Sequence, residues 1–275
     1  MRLKGRNPCG KRCQVKTLIS LLLCSACLLA FPLSACAAPP SRPPEGVYRW
    51  YVKRNDEHKT PVLPSEFSFL SECGGWYCDR SQTPEKTLYL TFDAGYENGN
   101  VARILDVLKA EQVPAAFFIL EHLVKAESPL VQRMIDEGHL VCNHTATHKN
   151  LARCSEGEFR AELERMEKSY RGAMGCEISR YFRPPEGVFT IDNLKTAQEM
   201  GYRTVFWSFA YADWDNCHQP DPEAAISKIL KHTHPGAVLL LHPTSETNAK
   251  ILPSLIKTWR EQGYRFGTLD ELTAK

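Results

Sequence analysis

The feature that most constrains this chain is a rhythm that begins at Leu88. Short apolar runs alternate with amphipathic stretches: "LYLTF" (88–92), "AAFFIL" (115–120), "HLVCN" (139–143), "RYF" (180–182), "TVFWSF" (204–209), "AVLLLH" (237–242) and "YRFGTL" (264–269). Between the first two, Val101, Ile104, Leu105 and Leu108 recur at helical spacing, and Ile251, Leu255 and Trp259 do so before the last. Ser155 and Glu158 make a capping box ahead of Phe159, Leu163, Met166 and Tyr170, and a further helix is expected at about 222–232. The glycines of "EGH" (137–139), "MGY" (200–202) and "QGY" (262–264) suit the left-handed residue that ends a helix. Apolar strands alternating with helices call for a parallel sheet covered on both faces or closed into a barrel. About seven such units from 86 to 275 favour an irregular (β/α) barrel over an open doubly wound sheet. No Gly-x-Gly-x-x-Gly follows a strand, which weakens a dinucleotide-binding alternative.

The part before residue 86 reads differently. Six cations and no acid lie in the first sixteen residues, followed by the uncharged apolar run 17–33, the layout of a secretory signal. A retained membrane anchor is the other reading of that run. "LSAC" (33–36) resembles a lipobox with Cys36 as the acylated residue, and cleavage near Ala37 or Ala38 is the alternative. The expected location is therefore outside the cell, anchored through Cys36 or secreted to the wall. Residues 37–46 form a Pro-rich linker, and 47–85 an aperiodic extension expected to pack on the main domain. Removing the six leader cations takes the formal charge from +2 to −4, so no basic stripe remains for nucleic acid. Five of eleven cysteines fall in the leader, and of the other six only Cys73 and Cys78 are close enough for a local disulfide.

Parallel α/β folds keep their chemistry at the C-terminal ends of the strands. At those ends stand Asp93, then His144 and His148, Arg183, Asp213 and His242. His144 and His148 are spaced i, i+4, which on a helical turn puts both imidazoles on one face, within reach of one cation. Two solvated or capping histidines is the bland alternative. Asp93 fits a catalytic carboxylate or an early helix cap. Arg183, stiffened by Pro184 and Pro185, suits a fixed partner for a carboxylate. Trp214 belongs either to the core or to a pocket wall near Asp213. His122 and His139 are weaker candidates.

The set "TFDAGYENG", "HTATH", "RPPEG", "ADW" and "LLLH" resembles, in order and spacing, the five motifs of the polysaccharide deacetylases (the NodB-homology domain, carbohydrate esterase family 4), over residues 86 to 270. The flanks are most similar to the delta-lactam-biosynthetic de-N-acetylase branch. That resemblance implies a metal-dependent hydrolase acting on peptidoglycan glycan strands, removing acetyl from muramic acid after peptide-stem cleavage, on the way to the muramic delta-lactam of spore cortex. It implies Asp93 as base, His144 and His148 as metal ligands, and Arg183 as the residue that holds the base. It further implies Asp213 as the acid that orients His242, and His242 as proton donor to the leaving amine. Tyr96, Glu186 and Trp214 are expected to face the sugar, Glu186 replacing a common aromatic. Ala94 stands where most members carry a second aspartate that ligates the metal. The third ligand is thus left open, and zinc, cobalt or another first-row ion is expected. A monomer is expected. Deacetylation of N-acetylglucosamine, or a catalytically impaired glycan-binding lipoprotein, are the competing readings.

Overall fold

The computed structural model describes residues 46–82 and 84–274; the leader with Cys36 and the linker as far as residue 45 lie outside the described residues. The described part begins with strands β1 (Val47–Arg49), β2 (Gly75–Trp76) and β3 (Thr87–Ala94). Helix α1 (Asn100–Ala110), β4 (Ala115–Ile119), α2 (Glu121–Ala126), α3 (Ser128–Asp136) and β5 (Leu140–Asn143) follow. Next come α4 (Glu156–Met174), β6 (Ser179–Phe182), β7 (Val188–Thr190), α5 (Ile191–Glu199) and β8 (Arg203–Val205). The chain ends with α6 (Pro222–Lys231), β9 (Val238–Leu241), α7 (Glu246–Glu261), β10 (Arg265–Phe266) and α8 (Leu269–Thr273). Among these described residues no helix is long and apolar enough to cross a membrane.

Successive residues of a strand point to opposite faces, and β3 shows what that does here. Leu88, Leu90, Phe92 and Ala94 pack outward into one large apolar cluster with α1 and α7, while Tyr89 belongs to an inner cluster with Phe118, Cys142, Tyr181, Val205 and Val238. Both faces being apolar explains why the strands read as continuous hydrophobic runs rather than alternating ones. The inner strands run parallel in the order β9-β3-β4-β5-β6-β8, and a single bridge between Phe209 and Leu239 joins β8's extension back to β9. With β2 on β8, seven parallel strands make the irregular barrel that the rhythm predicts. Its lower end is plugged by Leu269 and Leu272 of α8, where Tyr181 donates to Asp270 at 2.6 Å.

Two details differ from the sequence reading. The last predicted strand is only Arg265–Phe266, on the outer side of β3, because Thr268 accepts from the Glu271 N–H and turns the chain into α8. The seventh barrel strand instead comes from the aperiodic extension: Gly75 and Trp76 pair with Thr204 and Val205, and Cys78 bridges Ala237, wedging β2 between the lower parts of β8 and β9. That extension packs through aromatic side chains, with Trp50, Phe67, Tyr77, Phe189 and Phe206 buried together. Cys73 and Cys78 stand there as separate buried thiols. The capping box at Ser155 and Glu158 is present, and the glycines at 138, 201 and 263 take φ of 80°, 83° and 82°.

Candidate active site

Asp93 is the last inward-facing residue of β3, at the C-terminal mouth of the barrel. One of its carboxylate oxygens accepts from Arg183 Nη1 at 2.7 Å, and the other lies 3.6 Å from His144 Nε2. Arg183 is completely buried, and its other two guanidinium nitrogens are engaged as well: Nε with the Val205 carbonyl at 2.9 Å, Nη2 with Thr91 Oγ1 at 2.9 Å and the Phe206 carbonyl at 3.3 Å. Its guanidinium also lies 4.1 Å above the Phe118 ring. An arginine held at all three guanidinium nitrogens cannot swing, so it fixes the carboxylate it pairs with. Burial works to raise the Asp93 pKa, but the charge of Arg183 above all, together with its hydrogen bond, outweighs it and holds the carboxyl below its ordinary value.

The segment 144–148 is not the helical turn that i, i+4 spacing implied. Thr145 and His148 both have left-handed backbones, φ 75° and 58°. The reason is local side-chain bonding that competes with helical hydrogen bonds. Asn143 Oδ1 takes the Thr145 N–H at 2.8 Å, Thr145 Oγ1 takes the His148 N–H at 2.9 Å, and Glu162 holds Thr147 at 2.9 Å. The two imidazoles nevertheless meet, with centroids 5.0 Å apart and planes at 70°. His144 Nδ1 lies 2.8 Å from the Arg183 carbonyl, which can only accept, so Nδ1 carries the proton and Nε2 presents its lone pair to the cavity. Burial pushes the His144 pKa down to about 4, so the ring is neutral at physiological pH and able to ligate.

Across the mouth, His242 follows β9. Its Nδ1 bonds Asp213 at 2.7 Å, and the second Asp213 oxygen accepts from the His242 N–H at 2.9 Å and Asn248 Nδ2 at 2.6 Å. Asp213 is fully buried, whereas the His242 ring reaches the cavity through its other nitrogen. Burial opposes charging of His242, but the Asp213 hydrogen bond and the charges of Asp213 and Asp93 win, and its pKa is raised. The site thus pairs a carboxylate whose ionised form is favoured with an imidazole whose protonated form is favoured, the combination that acid–base hydrolysis requires.

Both groups open into one cavity of about 640 Å³ that is also lined by His144, His148, Tyr96, Glu186 and Trp214. Arg183 and Asp213 stand behind this wall. Trp214, 61% exposed, has its ring edge-on to His242 at 6.1 Å, and Tyr96 contacts Asn216. Glu186 sits in a turn with φ 57°. His122 is exposed on α2, and His139 is buried against Phe117 below the mouth. Sequence reasoning missed Thr91, Asn248, Trp207 and Arg49. The first two have a legible signal, a polar residue inside an apolar periodic run; Arg49 has none, because it arrives from the aperiodic extension.

Residues 80–205 match the polysaccharide deacetylase family. The peptidoglycan-N-acetylmuramic acid deacetylase PdaA of Bacillus subtilis (strain 168) is 38% identical over 251 residues, covering 91% of this chain and 95% of PdaA. The chain belongs to the polysaccharide deacetylase family. The solved structure of Bacillus subtilis PdaA, a family 4 carbohydrate esterase, superimposes with a TM-score of 0.79 at 37% identity, over 83% of this chain and 97% of that one. A family 4 pseudoenzyme from Bacillus anthracis superimposes with a TM-score of 0.67 at 29% identity, covering 72% and 68%. A peptidoglycan-N-acetylglucosamine deacetylase of Bacillus cereus is 32% identical over 197 residues, covering 68% of this chain and 88% of that protein.

Deacetylases of this family generally depend on a metal. Among the described residues no cluster of three or more His, Cys, Asp and Glu side chains is arranged for one. The donor chemistry at His144 and His148 still fits a divalent first-row ion: two imidazoles converge, one with its lone pair fixed toward the cavity and a carboxylate oxygen beside it. Ala94 adds nothing to this set, and its methyl packs outward among β3's apolar neighbours rather than into the cavity.

Proposed function

We propose that this chain hydrolyses the N-acetyl group of muramic acid in peptidoglycan glycan strands whose peptide stems have been removed, a step toward the muramic delta-lactam of spore cortex. It acts outside the cell, anchored through Cys36 or released into the wall. The observation that carries the reading is the pairing across one cavity of Asp93, bound to Arg183, with His242, bound to Asp213. The 38% identity to PdaA supports muramic acid as the sugar.

Asp93 takes a proton as water oxygen bonds to the acetyl carbon. His242 then gives its Nε2 proton to the amide nitrogen as the carbon–nitrogen bond breaks, leaving acetate and a free amine. A divalent ion held by His144 and His148, zinc by preference, would polarise the carbonyl and offset charge on its oxygen. Arg183 keeps Asp93 in place and Trp214 and Tyr96 offer flat apolar surface to the sugar ring, as aromatic faces do.

Product mapping tests the sugar. Mass spectrometry of digested strands is expected to place the lost acetyl on muramic acid; loss only from glucosamine units supports the alternative exemplified by the Bacillus cereus relative, and no loss supports a pseudoenzyme.

The pKa directions predict a bell-shaped kcat/KM. The Asp93 pKa is lowered, so its base form persists through the neutral range and is lost only on strong acidification, where His144 also protonates, at about 4. The His242 pKa is raised, so its acid form survives above the ordinary value of about 6.5 and is lost as pH rises further. Asp213→Asn is expected to move the alkaline limb downward, and an unmoved limb would assign it to another group.

A further inference from the structure

β1 pairs antiparallel with β7, Arg49 opposite Val188, and this lays Arg49 on the rim of the cavity. The adjoining turn is stitched to it, because the Trp50 N–H donates to the Gly187 carbonyl at 2.8 Å. Arg49 Nη1 stands 3.9 Å from the Glu186 carboxylate, with the two side chains 65% and 55% exposed. That separation is too long for a hydrogen bond, and an exposed pair of this kind is weak. Arg183 behind the wall has all three guanidinium nitrogens engaged. Among the described residues that line the cavity, Arg49 is the one permanent cation, and its planar fork is open to a better-placed anion.

Glu186 follows β6 and Tyr96 follows β3, three positions apart around a ring of six strands, so the charged rim faces Tyr96 across the mouth. Muramic acid differs from glucosamine by a lactyl ether at C3, next to the C2 acetamide. Once the peptide stem is gone that ether ends in a carboxylate, one ring position from the bond to be cut. With the acetamide directed between Asp93 and His242, and the ring against the aromatic side of the mouth, the lactyl group projects to the remaining rim.

We propose that Arg49 binds the lactyl carboxylate of stem-free muramic acid, exchanging Glu186 for the substrate anion, and is the residue that selects this sugar. This inference rests on the muramic-acid reading above. It also makes a strand that lies outside the (β/α) repeat part of the substrate site. Glu186 then acts as the internal competitor that an anion must displace.

The test compares acetate release from glycan oligomers carrying free lactyl carboxylates with the same oligomers after methyl esterification. The full chain is expected to favour the free acid in kcat/KM by on the order of tenfold, the scale of a hydrogen bond to a charged group. In Arg49→Ala that preference is expected to collapse through KM rather than kcat. Arg49→Lys should retain part of it, and Glu186→Gln should enlarge it. An acid preference that survives intact in Arg49→Ala, or no preference in the wild-type chain, overturns the inference and leaves muramic-acid deacetylation standing. Acetate released from glucosamine units alone overturns both.

Discussion

Asp93→Asn is expected to lower kcat by about a thousandfold, within the range that a positioned general base supplies. Asparagine keeps the shape and can still accept from Arg183 Nη1, which holds Asp93 at 2.7 Å. What it removes is proton affinity, so water is no longer deprotonated as it attacks. The fold should survive, because Arg183 retains the Val205 and Phe206 carbonyls and Thr91 as acceptors. Steady-state acetate release together with a thermal melt separates the two effects. A variant that keeps within tenfold of wild-type turnover would mean that the proton goes elsewhere.

Arg183→Ala is expected to strike stability as well as activity. It leaves the Asp93 carboxylate without its main counter-charge, removes a side-chain donor from each of two backbone carbonyls, and opens a void beneath the Phe118 ring. Removing one partner of a buried pair costs about 3–5 kcal/mol, a large part of the 5–15 kcal/mol typical of a domain. Denaturant unfolding at neutral pH measures the loss. The sign with pH follows from the lowered Asp93 pKa: its contribution is present above the unfolded carboxyl pKa and fades as pH falls through the folded one. The double replacement Asp93→Leu with Arg183→Met should be less destabilising than Arg183→Ala alone, since it leaves no buried charge unpaired. A double variant as unstable as the single one would show that packing, rather than charge, dominates there.

The barrel was legible because its strands are buried on both faces, and the mouth was legible because every barrel end that matters carries a titratable side chain where apolar sequence stops. Where periodicity failed, the reasons are physical. Residues 47–82 pack through aromatic contacts that have no repeat, so neither the β2 wedge nor the delivery of Arg49 to the cavity could be read from spacing. The interval between His144 and His148 was a sound guide to their meeting but a poor one to the backbone, since Asn143, Thr145 and Glu162 replace helical bonds with side-chain ones. Asn248 sits on the buried face of α7, a visible anomaly in the sequence whose partners, Asp213, the His242 carbonyl and the Tyr211 hydroxyl, only the fold supplies. Ala94 reads differently in three dimensions: period two sends its methyl into the outer apolar cluster, leaving Asp93 alone to face the histidines.

Asp93 and His242 together make one amide-hydrolysing site. That site is tested most directly by measuring acetate released from stem-free muramic-acid strands by the metal-stripped chain, supplemented in turn with zinc, cobalt and other first-row ions. We predict acetate release with at least one of these ions, lowered about a thousandfold in Asp93→Asn and strongly in His242→Ala. No acetate with any ion, under conditions where another family member works, or undiminished release by either variant, would contradict it.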